Sequence, residues 1–175
     1  MPVVHNPKTR TLPVDADLDR LYQKHANALF RYAVMLTGSI EDAEDAVSEV
    51  FARIARMSLL QGFVVRRKAY LLKAVRNACF GQIRSRRRGI SLQEGLAWES
   101  AHEAVSPEAG LSGPLVEAFL QLPEDQREVV GLKVFNQLTF REIARITECS
   151  PNTVQSRYRY GIQKLKTAAE DTPNG

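Results

Sequence analysis

The 175-residue chain is expected to fold as an all-α protein: two small helical domains joined by a linker. Three observations lead there. Apolar residues recur at three- and four-residue steps over long stretches, the mark of helices with one buried face. No stretch alternates apolar and polar residues as a half-buried strand would. From about residue 90 to 113, Gly, Ser, Pro and Glu take over from apolar residues, as in a linker. Apolar residues make up 44% of the chain, enough for two cores and unlike a disordered segment.

Residues 1–16 carry Pro2, Pro7 and Pro13 and no periodicity, and are expected to form a flexible arm. A first helix runs from about Asp17 to Thr37, with Leu18, Leu21, Tyr22, His25, Leu29, Tyr32 and Leu36 on one face. Gly38 ends it. Ser39 caps the next helix, whose first turn holds acids that the helix dipole favours. That helix is expected to bury Ala43, Val47, Val50, Phe51 and Ile54, and to turn Asp42 and Asp45 outward. Residues 58–68 read as a loop around Gly62. A third helix, from about Ala69 to Arg86, points Leu72, Val75, Cys79 and Ile83 inward. These helices make the first domain, 17–89, and the linker spans 90–113 with Trp98 inside it.

The second domain, 114–167, is helical again. Leu115, Phe119, Leu120 and Leu122 precede Pro123, which stops one helix and opens another, about Glu124 to Phe135. Thr139-x-x-Glu142 is a capping box that opens a short helix. Ser150-Pro151 pairs an N-cap with proline at the first helical position, opening the last helix. Residues 168–175 are left as a tail.

Net charge is +4 and the pI about 9.2, a modest basic excess. No apolar run reaches the roughly 20 residues that a membrane helix needs, and the N-terminus lacks a signal-peptide core, so a cytoplasmic protein without membrane insertion is expected. Cys79 and Cys149 stand far apart in apolar-periodic segments, as small core hydrophobes do. His5, His25 and His102 show no metal-ligand spacing, and neither metal nor cofactor is expected.

Residues Leu138 to Leu165 lay out a capped short helix, a tight turn at Thr147-Glu148-Cys149 and a second capped helix. This is the plan of a helix-turn-helix, whose second helix enters the major groove N-terminus first. A solvated helical hairpin would share the spacing, but here small polar residues crowd that N-terminus. Asn152, Thr153, Gln155 and Ser156 suit base edges and phosphates, and Arg157 and Arg159 add charge for the DNA backbone. No acid lies between Cys149 and Lys166. The string LPEDQREVVGLKVFNQLTFREIARITECSPNTVQSRYRYGIQKL resembles region 4 of sigma-70 family factors, which reads the −35 promoter element. Asn136 and Glu148 stand where that family often has glycine, and Gln155 where it often has lysine.

In the first half, LYQKHANALFRYAVMLTGSIEDAEDAVSEVFARIAR resembles region 2 of the small sigma factors called the extracytoplasmic function (ECF) group. The resemblance implies docking on the β′ clamp helices of core RNA polymerase through Glu44, Asp45, Ser48, Glu49 and Phe51. From Arg66 to Arg88 there are nine bases and no acid, a block that repels itself without an anionic partner. AYLLKAVRNACFGQIRSRRR resembles the part of region 2 that opens the −10 element and holds its single strand. The resemblance makes Lys73, Arg76, Asn77, Arg84 and Arg87 the DNA-binding set there. Tyr70 replaces a common tryptophan and Gln82 a usual aspartate.

The function implied is that of a promoter-specificity subunit, without catalysis. Its partners are promoter DNA, core RNA polymerase (β′ clamp helices and β flap) and an anti-sigma factor. A stand-alone helix-turn-helix regulator is the alternative, although no dimerisation element is evident. An enzyme built on the acids at Glu41 to Asp45 would lack a phosphate loop or a His/Cys set.

Overall fold

The computed structural model describes residues 13–61, 68–89 and 113–170, with side chains over 18–57, 68–85 and 113–170. Helices α1 (Pro13–Thr37), α2 (Ile40–Gln61) and α3 (Lys68–Gly89) form the first half. Helices α4 (Gly113–Leu120), α5 (Glu124–Val134), α6 (Phe140–Thr147) and α7 (Pro151–Glu170) form the second. No strand occurs among the described residues, so the all-α expectation holds.

Three boundaries differ from the sequence reading. α1 begins at Pro13, four residues into the expected arm, because proline fits the first helical turn, where its missing N–H is not needed. α2 continues to Gln61, taking in residues 58–61 of the expected loop. α7 runs to Glu170, so the expected tail starts three residues later. Most of the expected linker lies outside the described residues, as do residues 1–12, while Gly113 already opens α4.

The helix ends follow local chemistry. Gly38 takes a positive φ of 67° and its N–H donates to the Val34 carbonyl at 2.7 Å, closing α1. The Asp42 N–H donates to Ser39 Oγ at 3.3 Å, which caps α2.

In the first half, Leu29, Tyr32, Val50, Leu71, Leu72 and Val75 are buried, while Tyr22, assigned to the same apolar face, is 51% exposed. It instead lies edge-on against Phe51, with ring centroids 4.9 Å apart. In the second half, Phe119, Leu132, Ile143, Ile146 and Val154 are buried. Phe140 of α6 meets Tyr158 of α7 edge-on at 5.4 Å. Gly161 lets α7 approach α5 closely: a Cβ there would lie 2.7 Å from Val130 Cγ2.

The halves also pack on each other, α3 against α6 and α1 against α5. Met35 of α1 sits over Gly131 of α5, its sulfur 2.5 Å from where a Cβ would stand.

Candidate nucleic-acid interface

The helix-turn-helix is held by its caps. The Glu142 N–H donates to Thr139 Oγ1 at 3.3 Å, and the Thr139 N–H donates back to Glu142 Oε2 at 2.9 Å. The Thr139 hydroxyl also donates to Glu142 Oε2 at 2.7 Å, and the backbone and hydroxyl bonds from Thr139 onto the carboxyl hold it below its ordinary pKa. α6 ends at Glu148, which adopts the left-handed conformation with φ 58°. A residue with a side chain adopts this geometry only at a cost. At the other departure, Asn136 is buried and its neighbour Gln137 takes the positive φ of 56°. The Thr153 N–H donates to Ser150 Oγ at 3.1 Å, so Ser150 caps α7 as expected.

At the start of α7, Asn152, Thr153 and Gln155 are exposed and Ser156 is half-buried. Arg159 is exposed, with its guanidinium 5.2 Å from the Tyr160 ring centre. Arg157 turns inward instead. It pairs with Asp125 of α5 at 2.9 Å and donates to Cys149 Sγ at 3.1 Å, which ties α7 to α5 and to the turn.

On α2, Glu44, Asp45, Ser48 and Glu49 are exposed along one side. Phe51 is buried, as expected of it, and lies edge-on against the exposed Tyr22. One expectation there needs correction. Asp42 does not face outward. It is 8% exposed in the first turn of α2, directed into the bundle. Burial raises the Cys79 thiol pKa to about 12, and the Asp42 charge adds to that shift. Such a thiol is inert, as expected of a core residue.

α3 shows what the chain order hides. Arg76 Nε donates to Glu128 Oε1 of α5 at 2.8 Å. The hydroxyl of the fully buried Tyr32 donates to the same oxygen at 2.7 Å. Burial disfavours the Arg76 charge, but the hydrogen bond and charge of Glu128 outweigh it and raise its pKa. Burial first, then Glu128, push the Tyr32 pKa well above its ordinary value, so the phenol stays a donor. Lys73 Nζ lies 3.1 Å from Glu148 Oε1, and Lys68 Nζ donates to the Asn136 carbonyl at 3.0 Å.

Arg76, Asn77, Phe80, Gly81, Arg84 and Glu148 line a cleft of about 440 Å³ between the halves. Arg76 stacks over the Phe80 ring at 4.6 Å. Asn77 and Arg84 are exposed, as is Tyr70 at 43%. The side chain of Arg87 lies outside the described residues, as does Trp98. Gln82 Oε1 is buried without a hydrogen-bond partner. Sequence reading missed Glu128 as a functional residue, because it ends the polar stretch Glu124–Glu128 and nothing local marks it as buried.

A second cavity of about 290 Å³ lies in the second half, with an apolar lining that includes Leu115, Phe119, Val134, Phe135, Ile162 and Leu165. Among the described residues, no three His, Cys, Asp or Glu side chains group as metal ligands, and no helix is long and apolar enough to cross a membrane.

Comparison with known proteins bears on both halves. Residues 21–89 match the family model of sigma-70 region 2, and residues 112–165 match that of sigma-70 region 4. The chain is 30% identical over 157 residues to the ECF RNA polymerase sigma factor SigL of Mycobacterium tuberculosis, covering 86% of this chain and 88% of that protein. It is 26% identical over 171 residues to the ECF RNA polymerase sigma factor SigW of Bacillus subtilis, covering 89% of each. Its fold is similar, with a TM-score of 0.67 at 23% identity, to the sigma factor RpoE of Bartonella quintana, solved in complex with the anti-sigma factor NepR. That likeness covers 89% of this chain and 98% of RpoE. With matching models in both halves and a 30% identical relative over nearly its whole length, the chain belongs to the sigma-70 family of RNA polymerase sigma factors, within its ECF group.

Proposed function

We propose that this protein binds core RNA polymerase and directs it to promoters, and that it does so without catalysis, in the cytoplasm. The observation that carries the reading is the separation of two charged faces on one bundle. Glu44, Asp45 and Glu49 are exposed on α2, while the acid-free, basic α3 borders a cleft on another side. Separate surfaces of opposite sign suit two partners at once: a protein for the acids and nucleic acid for the bases.

In this reading Glu44, Asp45, Ser48 and Glu49 meet the β′ clamp helices, with Tyr22 at their edge. Lys73, Arg76, Asn77, Arg84 and Arg87 hold the single strand of the −10 element. Asn152, Thr153, Gln155, Ser156 and Arg159 enter the major groove at the −35 element. Arg157 orients α7 from beneath, through Asp125. The apolar cavity between α4, α5 and α7 is the face for the β flap, since an exposed apolar hollow of this kind marks a protein contact. An anti-sigma factor is the expected regulator, as the RpoE–NepR complex illustrates for a relative of like fold.

Two weak DNA-binding modules on one polymerase gain affinity through effective concentration. The free protein is therefore expected to bind promoter DNA weakly and the holoenzyme to bind it well. Run-off transcription with core polymerase, on the promoter upstream of the protein's own gene, tests this. Transcripts that depend on the protein are the expected result, and Glu44→Lys with Glu49→Lys should abolish them by blocking co-purification with core. Tight, specific footprinting by the free protein would favour a stand-alone regulator instead.

A further inference from the structure

We propose that the cleft between α3 and the turn after α6 binds a small guanine nucleotide. The site goes beyond the promoter reading above, although it shares Arg76, Asn77 and Arg84 with the −10 set.

At about 440 Å³ the cleft has the size of a small-ligand pocket. Gly81 leaves part of its α3 wall bare, since a Cβ there would meet nothing within 4 Å. The rest of the lining offers three kinds of contact. One is a flat surface. The Arg76 guanidinium lies 4.6 Å from the Phe80 ring centre, and the 2.8 Å bond from its Nε to Glu128 fixes it there. Nucleobases stack on aromatic rings and on guanidinium planes alike. Another is a set of donors. Asn77 and Arg84 are exposed, and an arginine fork matches the oxygens of a phosphate. The last is a carboxylate brought in from the other half: Glu148, exposed, with Lys73 Nζ 3.1 Å from its Oε1.

That carboxylate is what selects the base. A phosphate chain by itself is repelled by an acid, so Glu148 suits a ligand whose other end carries donors. Carboxylate oxygens only accept. Guanine presents two adjacent donors on its pairing edge, the ring N–H and the amino group, and can use both oxygens. Adenine and cytosine present one donor beside an acceptor, which would set a lone pair against a carboxylate oxygen. The backbone points the same way. Glu148 holds φ at 58°, where a side chain costs energy and glycine would not. Local strain of this kind collects at ligand sites. A nucleotide seated on Asn77 and Arg84 competes with the −10 strand for them, a consequence that rests on the promoter reading.

The test is calorimetric titration of the full-length protein, without polymerase, with GDP, ADP and IDP, the last being GDP without its amino group. One GDP per protein is expected. It should bind about tenfold more tightly than IDP or ADP, the effect of losing a hydrogen bond to a charged group. Glu148→Gln should erase the preference for GDP over ADP. Gly81→Leu, which fills the bare stretch of wall, should abolish binding of all three. Both positions are exposed, and the comparison of GDP with IDP needs no variant at all. Absence of saturable GDP binding, equal binding of GDP and IDP, or a GDP preference that survives Glu148→Gln overturns the proposal. So does tighter binding of a single-stranded pentanucleotide with one central guanine than of GDP, which would make the cleft part of the strand's path. Each of these outcomes leaves the promoter reading standing, because none involves polymerase.

Discussion

Two glycines inside helices have opposite consequences. Gly81 on α3 is exposed, and a Cβ there would meet nothing within 4 Å. Gly81→Ala should therefore stabilise the protein by about 1 kcal/mol, the intrinsic helix preference of alanine. Gly161 on α7 is buried against Val130, whose branched side chain cannot swing away. Gly161→Ala should destabilise by about 1–3 kcal/mol through overpacking, although the intrinsic preference is the same. Urea midpoints of the two variants measure both effects, and equal shifts would contradict the packing described. Arg157 poses a similar question at a single side chain. Because it is held by Asp125 and Cys149, Arg157→Ala should weaken duplex binding by the holoenzyme without lowering the slope of affinity against salt. A slope reduced by about one would make it a phosphate contact instead.

Among the helices, α6 depends most on its cap. It has eight residues, too few to be stable alone, and its N-terminus is closed by the reciprocal pair Thr139 and Glu142. Thr139→Ala should cost about 1 kcal/mol and loosen the turn that aims α7. The same cap carries a pH dependence. The Glu142 carboxyl titrates below its ordinary 4.5 in the folded protein, so its stabilisation is complete above that value and is lost as pH falls through the lowered one. Thermal unfolding below about pH 5 should show this loss in the wild type and a smaller one in Glu142→Gln.

At the level of the whole molecule, His25 senses both its own helix and α3. Burial, then the charges of Lys24 and Lys68, lower its pKa below 6.5. The unfolded chain thus binds a proton at mild acidity that the folded chain refuses. Stability is full above pH 6.5 and declines as pH drops below it. Melting temperatures between about pH 7 and pH 5 should fall for the wild type and fall less for His25→Gln.

The amino-acid order alone determined the helical class, the caps at Ser39, Thr139 and Ser150, and the turn ahead of α7. All of these are local: a cap or a turn involves residues within four positions of each other, and an apolar stripe repeats within one helix. The charge character of α2 and α3 was legible for the same reason, since runs of one sign are continuous in the chain. Helix ends were less so: α1 begins earlier and α2 and α7 end later than the periodic apolar stripe marks. Tertiary structure alone decided which members of an apolar stripe are inside. Tyr22 of the α1 stripe stays half exposed against buried Phe51, and Asp42 turns inward where Glu41 and Glu44 turn out. It also decided the fate of the basic helix. Glu128 is 52 residues from Arg76 and 96 from Tyr32, and their shared oxygen exists only because two separately legible bundles meet. Periodicity reports which side of a helix avoids water; which distant charge comes to rest against it depends on how whole surfaces fit.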